Sequence, residues 1–195
     1  MVVGLRERDA ERLRRASEAF AADRVEEARR VLGPLLTEHP DVPEVLELAG
    51  LCDYRMGRYR RAIDHLNDLI RITGSTEQHP VLMDSHRALG DYKRVEELWE
   101  ELGATSPGAA LVVEGRIVAA GALADRGRAA DAIRLLQRGP VDAKRPRDHH
   151  LRLWYALADL EERVGDLPAA RAWFGRIASH DPRFLDVGDR LRAVR

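Results

Sequence analysis

Five short breaks at nearly regular spacing constrain this chain more than any other feature. They are Ala22-Asp23-Arg24, Met56-Gly57-Arg58, Leu89-Gly90-Asp91, Arg126-Gly127-Arg128 and Val164-Gly165-Asp166. Each parts two stretches with helical periodicity. In ERLRRASEAF the apolar Leu13, Ala16, Ala19 and Phe20 fall three or four apart, on one helix face. In RVEEARRVLGPLL the matching set is Val25, Ala28, Val31, Leu32 and Leu35. The first small core residue after each break is Ala28, Ala62, Val95, Ala132 or Ala170, at separations of 34, 33, 37 and 38 residues. A unit of two short helices and a tight turn therefore repeats along the chain. The longest interval, Ala132 to Ala170, contains Gly139-Pro140, which cuts a second helix, and the loop VDAKRPRD after it.

Strand signals are poor. No alternation of apolar and polar residues is sustained, and no Asn-Gly or Asp-Gly hairpin turn occurs. The reading is all-α. Two antiparallel helices approach closely only where side chains are small, which gives the recurring Ala and Gly positions a packing reason. Glycine at the break takes backbone angles that other residues resist. Gly33-Pro34 is expected to interrupt the second helix of the first unit, because proline removes a hydrogen bond and crowds the preceding turn. Pro80 is expected to shorten the first helix of the third unit.

The last unit, LRLWYALADLEERVGDLPAARAWFGRIASHDP, resembles a tetratricopeptide repeat, through Trp154, Leu157, Ala158, Gly165, Ala170, Phe174 and Pro182. The second unit fits with Gly50, Gly57, Tyr59, Ala62, Leu66 and Leu69, and the first with Ala16, Ala28, Leu32 and Pro40. The third departs by Val95 in place of Ala; the fourth keeps Ala120, Gly127, Ala132 and Leu136 but lacks the closing proline. The resemblance implies one solenoid domain over 1–195, with repeats at 9–42, 43–75, 76–112, 113–148 and 151–182 and a cap at 183–195. It implies a right-handed α-solenoid of stacked antiparallel helix pairs. In the cap, Phe184, Leu185, Val187 and Leu191 are expected on the inner side.

Composition narrows the function classes. Hydrophobic residues make up 45% and charged residues 33%, as in a folded, water-exposed domain. The net charge of −1 disfavours non-specific nucleic-acid binding, which needs a basic field. The stretch from Ser75 to Ser106 is acidic, with seven acids against three bases. The single cysteine, Cys52, has no internal disulfide partner and reads as a buried apolar residue. MVVGLRERDAERLRR lacks a signal-peptide core and no apolar run reaches membrane-spanning length, so a cytoplasmic protein is expected.

Nothing argues positively for catalysis or a cofactor. No Walker lysine loop, dinucleotide-binding glycine pattern or HExxH motif is present. In DHH, Asp148 to His150, and DSH, Asp84 to His86, helical neighbours do not face one another, so neither forms a metal pocket or a relay by itself. His39 and His79, each beside a proline, read as turn residues. Trp99, Trp154 and Phe174 stand at core positions of the family pattern. By the same register, Tyr54, Arg55, Asp84, Arg87, Asp125, Arg152, Tyr155, Asp159 and Glu162 are implied on first helices, facing the hollow of the solenoid. Tyrosines among mixed charges suit recognition of a protein or peptide. Members of the family that grip a C-terminal carboxylate use Lys and Asn there; Ser17, Leu51, Asp84, Gly121 and Asp159 occupy the Asn positions, so that clamp is absent. The leading expectation is a non-enzymatic scaffold for a protein or peptide. The alternative is an accessory role in RNA- or ribosome-related work through the basic loop Lys144 to Arg147, and self-association stays open.

Overall fold

The computed structural model describes residues 5–105 and 108–194. Eleven α-helices and no strand occur among them. They are α1 (Glu7–Ala21), α2 (Val25–Glu38), α3 (Pro43–Arg55), α4 (Tyr59–Thr73), α5 (His79–Ala88), α6 (Tyr92–Ala104), α7 (Ala109–Asp125), α8 (Ala129–Gln137), α9 (Asp148–Arg163), α10 (Leu167–His180) and α11 (Val187–Ala193). The helices form two compact units, Met1–Asp91 and Tyr92–Arg195.

All five breaks are helix-ending turns of one kind. The backbone is left-handed at Asp23 (φ 62°), Gly57 (69°), Gly90 (76°), Gly127 (75°) and Gly165 (85°). At the second break Gly57 N–H donates to the Tyr54 carbonyl at 2.9 Å and Arg58 N–H to the Asp53 carbonyl at 2.8 Å. The other four repeat this pair of bonds, with partners offset by three and by five residues. That is the Schellman closure, which satisfies carbonyls left over at a helix end. The first break uses Asp23 where the others use glycine. Aspartate tolerates the left-handed region better than most residues, and this one is held by an ion pair with Arg55.

The residues after the breaks are buried as the spacing requires. Ala28, Ala62, Ala132 and Ala170 are fully inaccessible, and Val95 nearly so. In the first unit α1 pairs with α2 and α3 with α4; α3 packs on α2 and α5 on α4. Leu13, Ala16, Leu32, Leu35, Val45 and Ala49 form the core under the first three helices. The α3–α4 approach is close enough that a Cβ on Gly50 would stand 2.7 Å from Leu66 Cδ2, so any larger residue there would force the buried Leu66 side chain to shift. In the second unit α7 pairs with α8 and α9 with α10, and α11 closes on α10. Trp154 and Phe174 are fully buried there. The Trp154 indole N–H donates to the Val141 carbonyl at 3.0 Å, tying the long loop after α8 to α9. Trp99 is only half-buried.

Three expectations change. First, α2 is not interrupted at Gly33-Pro34: it runs to Glu38 through Pro34. The helix loses the bond a proline cannot make, but Leu32 and Leu35, both fully buried, hold its two sides in the core. Second, His79 is not an exposed turn residue; it begins α5 and is 2% exposed. Third, Leu185 does not face inward. It is 68% exposed in a left-handed turn at φ 47°, and Val194, fully packed, joins Val187 under the cap instead. The shortening of α5 by Pro80 holds, since that helix has 10 residues with proline in its first turn.

A buried carboxylate braces the first unit. Asp53 on α3 is inaccessible and meets Arg29 of α2 at 3.0 Å, His65 of α4 at 3.4 Å and Arg58 of the turn at 3.7 Å. Burial pushes its pKa up, but the His65 and Arg29 contacts outweigh that and hold it below the usual carboxylate value.

Candidate functional site

The residues placed on first helices by register lie on α3, α5, α7 and α9. In the first unit, Tyr54, Asp84 and Arg87 come together. The Tyr54 hydroxyl donates to Asp84 Oδ2 at 2.7 Å, and Arg87 Nη1 donates to Asp84 Oδ1 at 3.0 Å. Burial first, then the bonded Asp84 carboxylate, push the Tyr54 hydroxyl well above the usual tyrosine pKa. Arg55 turns the other way, toward α1, where it pairs with Asp23 and lies over the Phe20 ring at 5.4 Å. These contacts link α1, α3 and α5 within the unit.

In the second unit, Tyr155, Asp159 and Glu162 converge on a residue the sequence reading did not single out, Arg190 of α11. Its guanidinium donates to Asp159 at 3.0 Å, to Glu162 at 2.8 Å and to the Tyr155 hydroxyl at 3.2 Å. It also stacks 5.0 Å from the Phe174 ring centre. Burial pulls the Arg190 pKa down, but the bonds to Glu162 and Asp159 outweigh it and raise the value. The Tyr155 hydroxyl donates to Asp186 Oδ1 at 2.6 Å. Tyr54 to Asp84 and Tyr155 to Asp186 are therefore the same contact in two places, 30 and 31 residues apart in sequence. The segment Asp186 to Arg190 thus bonds α9 through its side chains while α11 packs on α10. Arg152 sits apart, bonded to Asp148 at 2.8 Å and paired with Glu114 at 3.4 Å. Asp125 is the exposed last residue of α7.

A groove of about 870 Å³ that the sequence reading missed lies between α1 and α3 in the first unit. Glu44, Glu47, Leu48 and Leu51 follow one face of α3 at helical spacing. Ala10, Leu13, Arg14 and Ser17 do the same on α1, with Leu5 and Glu7 at its start. Its one sequence signal was indirect. Ser17 and Leu51 are two of the positions where the carboxylate clamp would put Asn.

The histidines have local roles. Arg147 N–H donates to His150 Nδ1 at 2.9 Å, so the DHH stretch caps α9. His86 Nδ1 lies 3.0 Å from Asp91 Oδ2. Among the described residues, Asp9, Glu38 and His39 bring one ligand-type atom each within 4.8 Å of one another. His39 Nε2 is already 3.1 Å from Asp9, and Arg12 lies 3.5 Å from the same carboxylate. These pairs satisfy the buried Asp9 with cationic and hydrogen-bonding side chains. Cys52 is fully buried, and burial pushes its thiol up to about 11, so it stays protonated near neutrality.

Comparison with known proteins agrees with this architecture. The tetratricopeptide repeat family matches over residues 13–75. No relative is found among curated protein sequences. A thermophilic TPR protein of Thermus thermophilus shares the fold with a TM-score of 0.68 at 19% identity, over 95% of this chain and 97% of that one. A tetratricopeptide repeat protein of Parabacteroides merdae gives 0.71 at 18% identity, over 94% and 69%. A chain of the APC/C hetero-tetramer Cut9-Hcn1 gives 0.72 at 15% identity; 94% of this chain covers 35% of that one. Residues 13–75 thus match the tetratricopeptide repeat family by sequence, and over nearly its whole length the chain shares the α-solenoid fold of antiparallel helix pairs seen in solved tetratricopeptide repeat proteins.

Proposed function

We propose that this protein is a non-enzymatic scaffold that binds a protein or peptide partner on the inner sides of its first helices. The observation that carries the reading is the groove between α1 and α3 in the first unit. Helix α3 supplies both Leu51 of that groove and, three residues on, Tyr54 of the cluster with Asp84 and Arg87. Open apolar area beside aromatic and arginine side chains is the composition of a binding hot spot. The similar chain in the Cut9-Hcn1 hetero-tetramer is itself part of a protein assembly. No helix among the described residues is long and apolar enough to cross a membrane. The RNA-related alternative draws on Lys144 to Arg147, a short loop in a chain of net charge −1, which gives it little electrostatic support.

The test is affinity capture from the native cell with mass spectrometry, followed by calorimetry on the partner. Arg87→Ala is expected to weaken binding by roughly thirtyfold, the cost of losing an anchor of about 2 kcal/mol. Arg60→Ala on α4 and Arg134→Ala on α8, both second helices, are expected to leave it unchanged. Loss of binding in the second-helix variants alone would move the site to the other side of the helix pairs. Turnover of a substrate by the purified chain would overturn the scaffold reading itself.

A further inference from the structure

We propose that the α1–α3 groove receives a short segment of a partner protein in which an apolar side chain is flanked by arginine or lysine. This rests on the scaffold reading and names the chemistry of what that scaffold takes. The floor is apolar, built by Leu13, Leu48 and Leu51 with Ala10. Among the described residues its polar edge is mainly anionic, with Glu7, Glu44 and Glu47 against Arg14; Glu47 also accepts from Gln78 Nε2 at 2.7 Å. Arg14 is itself paired with Glu11 on the same helix. A segment entering the groove would bury its apolar side chain on the leucines and place its cations among three carboxylates. An acidic segment would meet like charge at the same edge.

The chain's own cap shows how these materials recognise one another. Helix α11 buries Val187 and Val194 and extends Arg190 to Asp159, Glu162 and Tyr155 of α9. An apolar–basic segment is thus held in the second unit, its valines in the core of α9 and α10 and its arginine on the α9 carboxylates. The groove in the first unit offers the same pairing of apolar floor and acids.

The test is a display selection of random twelve-residue peptides against the whole chain, with affinities measured by fluorescence anisotropy. The selected peptides are expected to be net positive with apolar residues between the cations, and to bind less well as salt rises. Ser17→Trp, which fills the groove from an exposed position, and the double variant Glu44→Gln with Glu47→Gln are each expected to weaken them about tenfold or more. Thermal melts matching the parent chain establish that both variants are folded. Neutral or acidic selected peptides, or affinities untouched by the Glu changes, would overturn the charge assignment. Peptides insensitive to Ser17→Trp but lost with Arg87→Ala would overturn the groove while sparing the scaffold reading. Sedimentation showing self-association that Ser17→Trp abolishes would make the occupant a second copy and overturn the partner segment. No enrichment of any peptide would count against both.

Discussion

Glu161 is a carboxylate in a place that resists its charge. It is 8% exposed on α9, and burial first, then the neighbouring Asp166, raise its pKa above the ordinary 4.5. A carboxyl group with a raised folded-state value favours the fold fully while it is protonated, below its unfolded value. That contribution is lost as pH rises through the folded value, so at neutrality the ionised group opposes folding. Glu161→Gln is therefore expected to raise the melting temperature at pH 7, with the gain shrinking as pH falls through the raised folded value and gone below about 4.5. Calorimetric melts of both proteins at the two ends of this range check it; a gain of equal size at both would contradict the assignment. Asp53 carries the opposite sign. Its partners hold it low, so its contribution is present above the unfolded carboxylate value and is lost as pH falls through its own. The difference is one of company: Asp53 has Arg29, Arg58 and His65 within reach, whereas Glu161 has a like charge as its named neighbour.

At the scale of the element, the five turns are the device that makes helix pairs from this sequence. Their left-handed residue is glycine four times, and at Gly165 an added Cβ would meet nothing within 4 Å. Gly165→Ala therefore isolates the backbone cost of that conformation, expected at about 1–2 kcal/mol. Asp23→Gly relieves the same cost at the first turn but gives up the exposed ion pair with Arg55, which is worth about 1 kcal/mol or less. Its net effect is expected to lie within about 1 kcal/mol of zero. Urea unfolding of the two variants decides this; a larger loss from Asp23→Gly than from Gly165→Ala would show that the aspartate side chain governs its turn. Helix α2 makes the complementary point. Pro34 is a strong local signal to stop, yet the helix continues, because the apolar face on either side of it is buried. Where packing and a local breaker conflict, about 3 kcal/mol of proline cost is within what two buried leucines supply.

At the scale of the whole molecule, stability in stacked helix pairs is a sum over neighbours, so each added helix contributes what it buries. Here α11 packs on α10, with Val187 and Val194 buried and Arg190 bonded to α9. A chain ending at Asp186 is expected to lose about 3 kcal/mol or more from the two valines alone. For a chain of this length that corresponds to a fall of roughly 6–12 °C in melting temperature. Thermal denaturation followed by circular dichroism measures it; an unchanged midpoint would mean that the cap adds nothing. The same spectra are expected to be those of a nearly all-helical protein.

The sequence by itself determined the helices, the turns between them and the close-packed small residues. Those features are local or periodic: a left-handed residue, glycine in four of five breaks, and a small core residue after each, alanine in four of five, repeat at a spacing that can be counted. It also placed Tyr54, Asp84, Arg87, Tyr155, Asp159 and Glu162 on first helices, through a register that the turns anchor. Only the tertiary structure decided which of these side chains are already engaged. Arg190 lies 28 residues from Glu162 and 31 from Asp159, and no spacing rule joins them; the docking of α11 does. The groove beside Leu51 is likewise made by two helices whose contributions look like ordinary amphipathic faces when read alone. Helical periodicity says which face is turned inward, but charge satisfaction and open volume depend on what another segment brings to that face, and that is a property of packing.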